Sequence, residues 1–362
     1  MFLFLHLVRR YSIVLNHKNV WRDMEMTEIK REPWVDVIKG IAILLVVFGH
    51  VIEACQEAVL LNGSLNLLMK SIYNIIYSFH MPLFFFVSGY LFSKTTLSNT
   101  TKAKVSIANF ALLYLIYSFL FLTMRLVMSS NLYSEVSIWH FVTLPIKPIG
   151  FLWYLWVLTI YYILFSVFNF KRLSIKYQII IVVGLNVAIN IANSIFSVPS
   201  QVYLIFYYII FFWTGILFTN FKGITILNIY LYTISAFAGL LVLILVLNCE
   251  HNIKNIPIVN TAVALLIVGI IIYYSYSREI RNKYLEYIGK NSLTIYVFHP
   301  FFVTACRIVC FKLHIMGITS IVVMIAIGVC TPLVIVDVSK KLGLYNVLFK
   351  PIYLFDKKVS SK

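Results

Sequence analysis

Ten apolar runs, each about twenty residues long, take up most of this chain. They cover residues 35–55, 70–92, 105–128, 150–168, 177–195, 201–219, 224–248, 257–276, 292–311 and 316–338. A run of roughly 20 apolar residues is what a helix needs to cross about 30 Å of hydrocarbon. Spanning segments must satisfy their own backbone hydrogen bonds, and helices do so within one segment. The expected fold is therefore all-α: a polytopic membrane protein of about ten transmembrane helices with both termini cytoplasmic. Composition agrees, since 61% of the 362 residues are hydrophobic and only 12% are charged. A soluble surface of this size cannot be covered from so few polar groups. The fifth run is the weakest span, because it carries Asn186, Asn190 and Asn193.

The net charge of +17 invites a nucleic-acid reading, but the basic residues do not gather on one soluble surface. They fall in alternate loops. With the N-terminus inside, 24 of the 30 Lys and Arg residues lie on the cytoplasmic side. The other six are Lys70, Arg125, Lys147, Lys254, Arg307 and Lys312. This is the positive-inside pattern, and nine or eleven spans would scramble it. It supports ten spans with both termini cytoplasmic and leaves no nucleic-acid partner expected. Residues 1–30 form an N-terminal extension, read either as an interfacial segment or as sequence ahead of a true start at Met24 or Met26. Residues 31–340 form the membrane domain and 341–362 a basic cytoplasmic tail. Cys306 and Cys310, one helical turn apart within a span, are read as small core residues.

The first run contains a stripe of ionisable groups. Lys39 and His50 are eleven residues apart. At 100° per residue that is three turns plus 20°, so both side chains leave one face. Asp36 lies about 60° from Lys39, and Glu53 about 60° from His50, by the same rotation. Charges inside a span are expensive and mark a site or a pathway. A cation at the inner mouth suits an arriving phosphate. An imidazole about 16 Å deeper suits proton transfer. The alternative is a snorkelling lysine and a hydrogen-bonded structural histidine.

Three later stretches add candidates. Ser78-Phe-His80-Met-Pro82 places an imidazole beside a helix-kinking proline, and Ser88-Gly89 permits close helix approach. Gly150-Phe-Leu-Trp153-Tyr154-Leu-Trp156 offers either interface anchors or a surface for a sugar ring. Gly289-Lys-Asn-Ser-Leu-Thr-Ile-Tyr-Val-Phe-His299-Pro300 carries another buried imidazole. Before it, Ser277–Lys283 is the most basic internal loop and reads as a lipid-facing collar or a second phosphate contact. No nucleotide-binding glycine loop and no H-E-x-x-H or C-x-x-C motif is present, so no metal site is expected.

These residues resemble a family. D-x-x-K-G-I-A-I-L-L-V-V-F-G-H (36–50) looks like the [R/K]-x10-H signature of the acyltransferase-3 family of integral membrane O-acyltransferases. F-H-M-P-L-F-F-F-V-S-G-Y (79–90), F-L-W-Y-L (151–155) and G-K-N-S-L-T-I-Y-V-F-H-P (289–300) resemble its later blocks, most closely in the fucose 4-O-acetylase-like branch. The match runs in order over about residues 31–340. The resemblance implies an acyl-CoA donor, usually acetyl-CoA, arriving from the cytoplasm as co-substrate. It implies an acceptor hydroxyl on a cell-envelope glycan or lipid-linked sugar, and a place in the inner or cytoplasmic membrane. Many members have Arg where this chain has Lys39, and Lys meets phosphate as a point charge and not as a fork. Some longer relatives add an extracytoplasmic esterase-like domain, which is not expected here.

The reading is thus a membrane O-acyltransferase embedded among lipids. His50, Glu53 and His80 are the catalytic candidates, with His50 as general base or transient acyl carrier. Asp36, Lys39, Ser88, Trp153, Tyr154 and His299 are the substrate- or donor-binding candidates. The rival class is a transporter or flippase for a polysaccharide or lipid-linked sugar, with the same stripe as its pathway.

Overall fold

The computed structural model describes residues 32–97, 99–128, 138–168, 173–219 and 257–352. Twelve α-helices run through them: α1 (Pro33–Glu57), α2 (Gly63–Thr95), α3 (Thr100–Met128), α4 (Ile138–Thr143), α5 (Trp153–Val167), α6 (Ile175–Ile195), α7 (Ser200–Phe218), α8 (Pro257–Ser277), α9 (Lys283–Lys290), α10 (Ser292–Lys312), α11 (Gly317–Lys341) and α12 (Tyr345–Phe349). A 3-10 turn, Gly150–Leu152, leads into α5. Among the described residues there is no strand, and nine helical stretches are long and apolar enough to cross a membrane. They match nine of the ten expected spans. The remaining one, 224–248, lies outside the described residues, as do the whole expected N-terminal extension, 1–30, and residues 353–362 of the expected tail. The chain is an all-α polytopic membrane protein.

Two compact units are distinguishable, and both mix distant parts of the sequence. One joins residues 31–89 to 211–342 and is organised around α1. Helix α1 starts at Pro33, whose fixed φ suits a first turn and whose missing N–H has no helical partner to lose. Asp36 sits in that first turn, where a carboxylate is favoured by the positive end of the helix. Ile38, Ile43, Val47, Val51, Ile52 and Cys55 are fully buried along α1, which packs against α8, α9, α10 and α11. Trp34 closes its start edge-on to Phe218 and Tyr276, with ring centroids 6.2 and 5.5 Å away. At its far end Arg307 pairs with Glu57, and Gly317 N–H donates to the Leu60 carbonyl at 2.9 Å.

The short helix α9 follows the basic loop 277–283, in a stretch that no expected span covers. Asn282 caps it, its side chain accepting from the N–H groups of Tyr284 and Leu285. Helix α9 then lies directly on α1. A Cβ on Gly289 would run into the Asp36 carbonyl, and one on Gly40 would run into the Leu285 carbonyl. Only hydrogen at both positions lets the two backbones touch. Tyr287 Oη donates to Asp337 Oδ1 at 2.9 Å, pinning α9 to α11 as well. Burial and the Asp337 carboxylate push the Tyr287 phenol up, so it stays a donor at neutral pH.

The other unit comprises residues 90–210 and 343–362, as far as they are described. Helices α3 and α5 form its main pair. The asparagines that weaken the fifth run as a span are explained here. Asn186 Nδ2 donates to the Tyr207 carbonyl at 2.7 Å, and Asn190 Nδ2 donates to Asn186 Oδ1 at 3.1 Å. Tyr203 Oη donates to Asn190 Oδ1 at 3.1 Å. Both amides face protein and are satisfied, as membrane burial requires. Asn193, near the helix end, is exposed.

Candidate active site

Three imidazoles meet in the unit built on α1. His50 and His299 approach with ring centroids 5.2 Å apart. Tyr77 stands between His50 and His80, its ring centroid 6.3 Å from one and 4.7 Å from the other. Tyr73 stacks on Tyr77 at 3.9 Å. Helix periodicity produces this cluster: Tyr73, Tyr77 and His80 are spaced i, i+4, i+7 on α2 and so share a face. Gly49 makes room for it, since a Cβ there would come within 2.7 Å of the Tyr77 ring.

Hydrogen bonding sets the protonation of each ring. His80 Nδ1 lies 2.7 Å from the Ile76 carbonyl, and His299 Nδ1 lies 2.8 Å from the Ile295 carbonyl. A carbonyl only accepts, so both Nδ1 atoms carry hydrogen. His50 Nδ1 instead lies 3.2 Å from Glu53 Oε2. An ionised carboxylate also only accepts, which leaves Nε2 of His50 as the basic nitrogen. Tyr77 Oη donates to the same Glu53 oxygen over a long 3.4 Å. His80 and His299 are buried, whereas the His50 side chain keeps 30% of its surface accessible. His50 is therefore the imidazole a substrate can reach.

Lys39 and Asp36 occupy the other end of the stripe. Lys39 Nζ donates to Asp36 Oδ1 at 3.2 Å, and Asp36 is buried. The pair lies roughly 16 Å from His50 along the axis, at the rise of an α-helix. Ser88 sits two turns beyond His80 on α2, about 12 Å along the axis, and is not brought against the imidazoles. The neighbouring Gly89 rests on the Phe212 backbone, the close approach expected of it. Trp153 and Tyr154 belong to the other unit. There Trp153 packs on Tyr208 at 5.1 Å, and Tyr154 is buried. Sequence reasoning missed Tyr73 and Tyr77, which share a face of α2 with His80, and Gly49 on α1, which only the packing reveals. Among the described residues, no group of three or more His, Cys, Asp or Glu side chains is arranged to hold a metal ion. Cys306 and Cys310 are buried with their sulfurs 3.9 Å apart.

The sequence profile of this kind of protein, described as an acyltransferase domain, matches residues 32–337. The chain belongs to the acyltransferase-3 family. A 67-residue stretch of the chain is 42% identical to nodulation protein NolL of Sinorhizobium fredii (strain NBRC 101917 / NGR234). That stretch covers 18% of the chain and 17% of NolL. No solved structure matches the chain. It is a multi-pass membrane protein of that family, and the histidine cluster lies within the matched residues.

Proposed function

We propose that this acyltransferase moves an acyl group, acetyl by preference, from cytoplasmic acyl-CoA to a hydroxyl of a cell-envelope glycan or lipid-linked sugar, in the cytoplasmic membrane. The observation that carries the reading is the His50–Glu53 pair, with a basic nitrogen left accessible in a family that transfers acyl groups. His50 Nε2 takes the proton of the acceptor hydroxyl as its oxygen attacks the acyl carbon. The carbon–sulfur bond breaks, the CoA thiolate leaves, and the imidazolium returns the proton to it. Glu53 holds the Nδ1–H side of the ring and balances the positive charge that His50 acquires. Lys39, held by Asp36, offers a cation to the CoA phosphates at the basic-loop end of α1. His299 packs beside the reacting ring, and His80 supports it through Tyr77.

The test is purified acyltransferase in vesicles with radiolabelled acetyl-CoA and an envelope saccharide extract. Label in saccharide and stoichiometric free CoA are expected, and both must vanish in His50→Ala. Transfer that survives in His50→Ala removes the base from His50. Saccharide movement across the vesicle without CoA release returns the chain to the transporter class.

A further inference from the structure

The polar stripe of α1 does not end at Glu53. Glu57 lies five whole turns from Lys39 and seven residues, about 10 Å, beyond His50, so helical rotation keeps it on the same face. Two other helices frame that stretch. Helix α10 runs parallel to α1: His50 meets His299 at 5.2 Å, and Glu57 pairs with Arg307, seven residues on along one helix and eight along the other. Helix α2 runs the opposite way, since Gly49 faces Tyr77 while Gln56 Nε2 donates to Asn66 Oδ1 at 3.1 Å. Going out along α1 from Glu53 to Glu57 therefore goes back along α2 from Tyr77 to Tyr73. Tyr73 stacks on Tyr77 at 3.9 Å and lies within electrostatic reach of both Glu53 and Glu57. His50, Glu53, Tyr77, Tyr73, Glu57 and Arg307 thus form one continuous row of contacts.

Accessibility rises outward along this row, from 30% for the His50 side chain to 44% for Glu53 and 60% for Glu57. Charged groups are costly against lipid tails, so these surfaces face water, and the water lies at the end of α1 away from Lys39. The charge pattern makes that the outer side. Arg307 differs, with only 13% of its side chain accessible. It meets Glu57 through Nη1, and its Nε and Nη2 find no acceptor among the described residues. A largely buried guanidinium is expensive unless its donors are used, and here two of its three nitrogens are left to a ligand. The row therefore offers carboxylate acceptors, guanidinium donors and a phenol hydroxyl side by side, which is the complement of a sugar's hydroxyls. Two carboxylates against one guanidinium repel an acidic group brought between them. Lys70 and Lys312, also on the outer side, are exposed and pair with neither carboxylate.

We propose that Glu57, held by Arg307, binds the acceptor sugar at the outer approach to His50, and that the site selects a neutral saccharide over an acidic one. This rests on the acyl-transfer reading of His50, but saccharide binding is testable without catalysis. The envelope saccharide extract is split by anion exchange into neutral and acidic fractions. With no acyl-CoA present, the neutral fraction should raise the unfolding temperature of the wild-type protein in detergent, and the acidic fraction at equal sugar content should not. Glu57→Gln, which can still accept a hydrogen bond from Arg307, should lose that shift. In the transfer assay the same variant should raise the saccharide KM about ten-fold at unchanged kcat and unchanged acyl-CoA KM. Glu57→Asp keeps the charge and should stay close to wild type. The exchange of Glu57→Arg with Arg307→Glu rebuilds an ion pair but moves the carboxylate to α10. If that double variant regains both wild-type melting and wild-type saccharide KM, the pair is a structural clasp between helices and the proposal falls. It also falls if Glu57→Gln leaves the saccharide KM unchanged, if the acidic fraction stabilises as well as the neutral one, or if neither fraction stabilises the wild type. A wild-type chain that is stabilised by the neutral fraction yet releases no CoA defeats acyl transfer and leaves the saccharide site standing.

Discussion

His50 differs from the other two imidazoles in what holds its Nδ1: a carboxylate three residues on, where His80 and His299 each use a backbone carbonyl of their own helix. Charge on Nε2 is therefore compensated only at His50. His50→Ala should insert and express normally while losing acyl transfer by ~100-fold or more, as a missing general base typically does. Glu53→Gln keeps a hydrogen-bonding group but removes the compensating charge, so kcat should fall while the acyl-CoA KM stays put. A rise in KM at unchanged kcat would assign Glu53 to binding. Lys39→Ala should weaken acyl-CoA by about 10- to 150-fold, the worth of a charge-assisted contact of roughly 1.5–3 kcal/mol. Because Asp36 would then be left buried without its ion-pair partner, Lys39→Arg is the control and should retain most of the affinity. Unchanged donor affinity with weakened acceptor affinity would place Lys39 on the glycan side. The stripe itself was legible because helical rotation alone aligns Lys39 with His50. Tyr77 was not singled out, since a tyrosine in an aromatic-rich span looks like any core residue until its hydroxyl is seen against Glu53.

At the scale of the element, α9 is the piece that hydropathy does not reveal. Its eight residues are too few and too polar to register as a span. Its helix is fixed by the Asn282 cap and by backbone contact with α1, a tertiary effect that no local pattern announces. Gly289→Ala must push α9 off the Asp36 carbonyl, at a cost of about 1–3 kcal/mol, as overpacking typically does. Thermal unfolding in detergent should show the loss, and a variant melting with wild type would mean that the crossing yields freely. The asparagines of α6 show the reverse. They weakened the span on paper, yet Asn186 and Asn190 tie α6 to α7 because each finds a partner on that neighbouring helix or on its own.

For the whole molecule, span count and sidedness come from different physics. Length and apolarity locate the crossings, and nine expected spans reappear in the described residues. Sidedness rests on the 24-to-6 distribution of Lys and Arg. Reporter fusions at Thr101 and Lys357 should read as cytoplasmic, and one at Ser137 as outward. An outward Lys357 would make the number of crossings odd. What the linear pattern cannot give is the partition into two units, since each draws on residues from far apart in the chain.

The meeting of Gly40 with Gly289 also limits how this protein can be recombined. Residues 36–40 and 285–289 lie near opposite ends of the chain, yet each presents bare backbone to the other. A chimaera that imports the segment around α9 from a relative works only if the donor segment brings a residue without a side chain to that spot, or brings its own first helix with it. Loop grafting intended to change the behaviour of the acyltransferase should therefore treat the two stretches as a single heritable cassette.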